Sequence, residues 1–187
     1  MPPLDILIAR YGLVAVFLGA GIEGETTVIG AGLLAHEGLL DPYAAAAAAS
    51  AGSMVADQIF FLIGRLFRHH PRVEKVLQRP AVERVMHWLE RYPTAFIFGF
   101  RFLYGLRTIS PMAIGTASVP AARFLIVNLA AAIVWGCLFT GLGYAFGSAI
   151  QRLLGDIHWL PKAAAFALLV ALLAVALRWC VRRFDPA

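Results

Sequence analysis

Residues 124–151 form a run of 28 residues without a charge, and this run constrains the fold more than any other part of the sequence. A helix that crosses a bilayer needs about 20 apolar residues. Residues 42–64 provide a second run, 23 residues long, in which Asp57 is the one charge. Charged residues make up only 14% of the chain, against about 25% in soluble domains. The sequence therefore predicts a single all-α membrane domain, residues 1–187.

Two other apolar regions are interrupted by charges and are too short to cross a bilayer. Residues 4–40 contain a pair of glutamates between two short runs, and residues 92–122 contain a pair of arginines. Lysine and arginine concentrate in an amphipathic segment at 65–91 and after a final span predicted at 158–180, and such positive segments face the cytoplasm. Counting crossings from these segments, both interrupted regions begin and end on one side, which predicts two re-entrant helical hairpins.

The two halves of the chain share one plan, in which a hairpin is followed by a full span. The halves are residues 1–64 and 92–151, and a shift of 81 residues aligns Gly24 with Gly105. An odd number of crossings between the halves would invert the second relative to the first. Inverted repeats with paired broken helices are typical of transporters.

Five charged residues lie inside the apolar regions: Glu23, Glu25, Asp57, Arg101 and Arg107. A charge at the bilayer centre costs about 2.5–3.5 kcal/mol even on the lenient insertion scale, so these side chains are expected to face one another or water. The two arginines are predicted to bind a phosphate, because a guanidinium pairs with phosphate oxygens through two parallel bonds. The three carboxylates are predicted to bind and release protons. The alternative is that the five residues form structural ion pairs and that Glu25 serves as a helix-cap partner.

The remaining polar residues point to no further chemistry. Cys137 and Cys180 both lie in apolar stretches, and no cysteine, histidine and acid spacing indicates a metal site. Ser50 and Ser53 are predicted to be small residues for close helix packing. Acidic residues alternate with basic ones in the segment at 65–91, which argues against nucleic acid as a partner. No cofactor is expected.

Three strings of residues resemble one known family. They are GIEGETTVIGAGLLAHEGLLDP at 21–42, ADQIFFLIGR at 56–65 and FRFLYGLRTISPMAIGTASVP at 100–120, and the likeness continues through 124–147. They resemble the DedA family of bacterial membrane proteins (the SNARE-associated or VTT-domain proteins), and in particular its short YohD-like branch. This resemblance implies two opposed re-entrant hairpins and a role in moving lipids.

The resemblance also implies roles for individual residues. The essential acids of the family fall on Glu23 or Glu25 and on Asp57, and its essential arginines fall on Arg101 and Arg107. The site is expected to be supported by seven further residues: Gly24, Thr26, Arg65, Tyr104, Gly105, Pro111 and Asn128. Many members carry a longer first loop, whereas Gly24 alone separates the two glutamates here. Which glutamate is essential therefore stays open.

The predicted function is that of a lipid translocase and not an enzyme. It would move a phospholipid or undecaprenyl phosphate across the bacterial inner membrane, with protons as a candidate coupling ion and the C-terminus in the cytoplasm. Two alternatives stay open, a polyprenyl-phosphate phosphatase and a proton-coupled exchanger of small ions or osmolytes. The lipid, the direction of transport and the oligomeric state are not specified by the sequence.

Overall fold

The computed structural model describes residues 3–68, 70–71, 75, 80–102, 107 and 109–154, and its ordered elements over these ranges are all helical. The elements are α1 (Pro3–Ile22), α2 (Glu25–His36), α3 (Pro42–Leu66), α4 (Pro80–Arg91), α5 (Pro93–Gly99), a 3₁₀-helix (Phe100–Phe102), α6 (Ile109–Thr116) and α7 (Ala121–Leu154). The all-α class predicted from the sequence is confirmed. The span predicted at 158–180 and part of the amphipathic segment at 65–91 lie outside the described residues.

Helices α3 and α7 are the two helices that are long and apolar enough to cross a membrane among the residues described. They coincide with the long runs at 42–64 and 124–151. Helix α3 begins sharply, since Asp41 accepts a hydrogen bond from the Ala44 amide at 2.7 Å and Pro42 occupies the first turn. Large apolar side chains are exposed along both helices, as expected of surfaces that face lipid; they include Val55, Ile59, Leu62, Leu125, Ile126, Leu129, Ile133, Leu138 and Leu142.

A tight turn at Gly24 joins α1 to α2 and folds them into a helical hairpin. The amides of Glu23 and Gly24 donate to the Gly19 carbonyl at 2.8 and 3.1 Å, which ends α1. Gly24 has a φ of 88° and a ψ of −116°, a combination that is open to glycine and strained for a residue with a Cβ. Beyond the turn the helices come close, because a Cβ on Gly19 would collide with the side chain of Thr27. The interruption that the sequence places at the glutamates is therefore a chain reversal.

Two reciprocal glycine pairs bring short helices into backbone contact with the long ones. In the contact of α2 with α7, a Cβ on either Gly32 or Gly143 would overlap a backbone carbonyl of the opposite helix. In the contact of α6 with α3, the same holds for Gly115 and Gly64. Small residues allow this close approach of helices in membrane proteins. Each short helix that follows a break thus packs on the long helix of the other half of the chain.

Helix α3 is central, since it contacts α1, α2, α6 and α7. Two apolar clusters flank it. One surrounds Trp135 and joins α1, α2, α3 and α7. The other contains Phe61 and Phe124, whose rings stack with centroids 4.3 Å apart. Because α3 also carries Ser53 and Asp57 on its buried face, polar groups are held at fixed positions inside this apolar packing.

Candidate functional site

Arg101 lies at the point where α5 gives way to the 3₁₀-helix, and its side chain is buried. One terminal nitrogen, Nη2, donates to Oδ2 of Asp57 and to Oδ1 of Asn128, both at 2.6 Å. The other, Nη1, donates to Oγ of Ser53 at 2.9 Å. Arg101 therefore joins the 3₁₀-helix to both α3 and α7, and its ion pair with Asp57 brings two of the five membrane-embedded charges together, as expected from the cost of charge in a membrane.

Arg107 lies beside the same serine but in a different environment. Its Nη2 donates to the Ala20 carbonyl at 2.6 Å and to Oγ of Ser53 at 3.0 Å. Its Nη1 lies 3.9 Å from Oε1 of Glu25, a loose ion pair. The guanidinium carbon stands 4.7 Å from the ring centre of Trp135, within cation–π range. Arg107 thus connects the turn between α1 and α2 to α3 and α7.

The two ion pairs differ in their access to solvent or lipid. The side chains of Arg101 and Asp57 are 0% and 4% exposed, whereas those of Arg107 and Glu25 are 16% and 32% exposed. Gly24 contributes to the open pair, because a Cβ at this position would overlap Nη1 of Arg107. The glycine is thus required twice, by its φ angle and by the guanidinium that lies against it.

Ser53 is a site residue that the sequence interpretation assigned to helix packing. Its hydroxyl oxygen accepts from both guanidiniums, which occupies both of its lone pairs. It lies one helical turn before Asp57, and this i, i+4 spacing is the signal that could have found it. Ser50 does behave as a packing residue, since its hydroxyl donates to the Ala46 carbonyl at 2.7 Å and lies against Gly136.

The first hairpin separates the two glutamates that the sequence could not distinguish. Glu25 faces Arg107, whereas the Glu23 carboxylate accepts a hydrogen bond of 3.4 Å from the Thr27 hydroxyl. Gly24 is the N-cap of α2 and has no side chain to cap the helix, and Glu25 lies in the first turn, where a negative charge is favourable. Thr26 is exposed.

The other predicted supporting residues occupy separate places. Arg65 donates to the carbonyls of Gly115 at 2.9 Å and Ala117 at 3.3 Å and to that of Val119. Arg65 therefore caps the C-terminal end of α6, where a cation is favourable, and is not part of the site formed by Arg101 and Arg107. Pro111 is buried in α6, Asn128 binds Arg101 as described above, and Tyr104 and Gly105 lie outside the described residues.

The sequence of this chain matches a known protein family and several named relatives. The profile of the VTT domain matches residues 22–145, a stretch that contains all five membrane-embedded charges. The chain belongs to the VTT-domain (DedA) family. This VTT-domain protein is 34% identical over 180 residues to inner membrane protein YohD of Escherichia coli, a match that covers 96% of this chain and 94% of YohD. The resemblance read from the sequence is confirmed.

More distant relatives carry other names. Undecaprenyl phosphate transporter A of Bacillus subtilis is 24% identical over 149 residues, or 75% of each chain. Protein DedA of Escherichia coli is 29% identical over 100 residues, which are 51% of this chain and 45% of that protein. No solved structure matches the chain. YohD is named an inner membrane protein, and a relative from Mycobacterium bovis that is 29% identical over 183 residues is named a membrane protein. This VTT-domain protein is a bacterial membrane protein.

Proposed function

We propose that this VTT-domain protein translocates a phosphate-bearing lipid, a phospholipid or undecaprenyl phosphate, across the bacterial inner membrane. The observation that carries the proposal is the environment of Arg107, which is held by Ser53 and Trp135 yet keeps an exposed side and only a loose counter-ion. A guanidinium that has only a loose counter-ion can donate two parallel hydrogen bonds to a phosphate. The relative from Bacillus subtilis, named as an undecaprenyl phosphate transporter, supports the same substrate class.

The proposed topology is an inverted repeat of two re-entrant hairpins with a cytoplasmic C-terminus. The reciprocal glycine contacts support it. Gly32 and Gly115 lie in the second helices of the two interrupted regions, and Gly64 and Gly143 lie in the spans that follow. Each pair thus joins a helix of one half to the span of the other, as a twofold relation between the halves requires. Transporters of this plan bind their substrate between the repeats, near the midplane.

The site suggests an order of events for phosphate binding. Nη2 of Arg101 donates both of its N–H groups, to Asp57 and to Asn128, so a phosphate reaches this nitrogen only by displacing one of these acceptors. Arg107 is the first contact, and the phosphate displaces Glu25 from it. A proton taken up by Asp57 then removes the counter-charge of Arg101 and frees the Nη2 N–H that faced Asp57 for the second contact. Loss of that proton restores the ion pair and expels the phosphate, which couples one proton to each cycle.

Reconstituted vesicles test the proposal. Labelled undecaprenyl phosphate and labelled phosphatidylethanolamine are placed in one leaflet, and their appearance in the other is measured. Wild-type protein should accelerate the transfer of at least one of them, and Arg107→Lys should reduce the rate by about tenfold or more, because lysine cannot form the two-pronged contact. Arg123→Lys is the matched control, since Arg123 is exposed and bonds only Thr94, at 2.6 Å, among the hydrogen bonds described for it.

Three results would contradict the proposal. Unchanged transport by Arg107→Lys would remove the arginine from the mechanism. Release of inorganic phosphate from the labelled lipid would favour a phosphatase. Ion flux without lipid movement would favour an exchanger of small ions or osmolytes.

A further inference from the structure

The arginine pair is surrounded by more buried hydrogen-bond donors than acceptors. Nε of Arg101, Nδ2 of Asn128 and Nε1 of Trp135 are all buried, and none has a hydrogen-bond partner among the described residues. Buried polar groups are nearly always paired, so each such group calls for an explanation. All three are N–H groups, and all three belong to one neighbourhood. Asn128 accepts from Arg101, and the ring centre of Trp135 lies 5.9 Å from the Arg101 guanidinium carbon.

Trp135 is the most informative of the three. It is fully buried, and its ring lies 4.7 Å from the guanidinium carbon of Arg107, the open arginine. It follows Asn128 by seven residues, so both side chains leave α7 on the same face, two turns apart. An indole can only donate a hydrogen bond, whereas a hydroxyl or amide could have paired in either direction. A group that pairs with the Trp135 N–H must therefore be an acceptor.

The charges near Trp135 indicate which class of acceptor fits this place. The nearby arginines carry two positive charges, and one of the two carboxylates that balance them is loosely held. A group that accepts several hydrogen bonds and brings negative charge satisfies both the donors and the arginines. A phosphate does both, with oxygens that each accept more than one bond.

We infer that Trp135 is a phosphate-binding residue, whose indole N–H donates to a phosphate oxygen of the lipid while its ring supports the guanidinium of Arg107. The inference rests on the proposed function, because it takes the ligand to be a lipid phosphate. It assigns to α7 a part in substrate binding that neither arginine provides. It also explains why a tryptophan, and not a purely apolar ring, lies beneath the open arginine.

Nuclear magnetic resonance of the full-length protein with ¹⁵N-labelled tryptophan tests the hydrogen bond directly. The chain has four tryptophans, so the indole spectrum is small, and the Trp135 signal is the one that Trp135→Phe removes. In detergent micelles, undecaprenyl phosphate should shift the Trp135 indole signal, and undecaprenol, which lacks the phosphate, should not. The exposed Trp88 serves as an internal reference. Equal shifts with both lipids, or no shift, would overturn the inference.

Trp135→Phe provides a second measurement, because it keeps an aromatic ring beside Arg107 and removes the N–H. The apparent Kd for undecaprenyl phosphate should rise about tenfold, as expected for a hydrogen bond to a charged group, while Trp88→Phe stays at the wild-type value. If wild-type protein translocates labelled lipid but Trp135→Phe binds it equally well, the inference fails and the proposed function stands. If wild-type protein moves no phosphate-bearing lipid, both fail. Should the variant not fold, the Trp88→Phe, Trp159→Phe and Trp179→Phe variants identify the Trp135 signal by elimination, and the wild-type titration with the two lipids decides.

Discussion

Arg101 and Arg107 stand beside the same serine hydroxyl, yet they have opposite surroundings. Arg101 is buried, and its Nη2 donates to the Asp57 carboxylate and to the Asn128 side-chain carbonyl, both at 2.6 Å. Arg107 rests against a tryptophan ring and has its nearest carboxylate at 3.9 Å. Sequence alone presents them as an equivalent pair. Their environments show that one belongs to a buried ion pair inside the helix packing and that the other is partly exposed and has a loose counter-ion.

The difference suggests a division of work between the two pairs. Removing one partner of a buried ion pair leaves an uncompensated charge, which is strongly destabilising, whereas an exposed pair contributes little. Asp57 and Arg101 should therefore support the fold as well as the cycle, and the loose contact between Glu25 and Arg107 should matter mainly for the cycle. Substitutions at the two pairs test this division.

The largest effect is expected for Asp57→Asn. The charge of Arg101 would stay buried without a counter-ion, so the free energy of unfolding should fall by about 3–5 kcal/mol and transport should be lost. Glu25→Gln, at the open pair, should change the free energy of unfolding by less than about 1 kcal/mol. Thermal unfolding of both variants in the same detergent measures the difference. Equal stability of the two would show that the pairs are not divided as described.

The next effect is expected for Gly24→Ala, with Gly38→Ala as its matched control. Both glycines have positive φ, 88° and 74°, so both substitutions strain the backbone. Only at Gly24 would the new Cβ strike a guanidinium, since nothing lies within 4 Å of a Cβ at Gly38. Lipid transport in vesicles should fall by about tenfold or more for Gly24→Ala, because Arg107 is displaced. Similar losses for both variants would mean that backbone strain, and not the arginine, is responsible.

Part of the fold and part of the site could be predicted from the sequence. Run length alone was enough to locate α3 and α7, and the cost of charge in a membrane was enough to predict that Arg101 meets an acid. Which arginine meets which acid depends on how the chain passes from the 3₁₀-helix to α6, and periodicity does not encode that path. Glu23 and Glu25 likewise separate only because the turn at Gly24 directs one toward Thr27 and the other toward Arg107.

Two site residues were missed for different reasons. Ser53 lies among alanines and glycines, where a serine usually serves close packing, although its spacing from Asp57 was a usable signal. Trp135 lies in an apolar span, where a tryptophan is expected to be part of the core, and no charged neighbour in sequence indicates the arginines above its ring. The contacts of Arg101 and Arg107 with Trp135 join residues that are far apart in the sequence, so they become visible only in the folded structure.

A smaller effect is expected for Ser53→Ala, which removes the acceptor shared by the two arginines. Transport should fall by about fivefold, in line with the loss of about 1 kcal/mol of hydrogen bonding. The reason is that Arg107 loses its link, through Ser53, to the buried pair of Arg101 and Asp57. Ser50→Ala is the matched control one turn earlier, since that hydroxyl bonds only its own helix, at the Ala46 carbonyl, among the contacts described for it. A larger loss in the Ser50 variant would show that packing of α3 on α7, and not the shared hydroxyl, limits transport.

The smallest effect is expected for Glu23→Gln. Its carboxylate accepts one long hydrogen bond, 3.4 Å from the Thr27 hydroxyl, and a glutamine can accept the same bond. Transport should stay within about twofold of the wild-type rate, while Glu25→Gln, beside Arg107, should lower it further. Measuring both variants in the same vesicles decides which glutamate the open arginine uses. A severe loss at Glu23 with a mild one at Glu25 would place the essential acid on the other side of the Gly24 turn, and the loose pair at Arg107 would then have no part in the cycle.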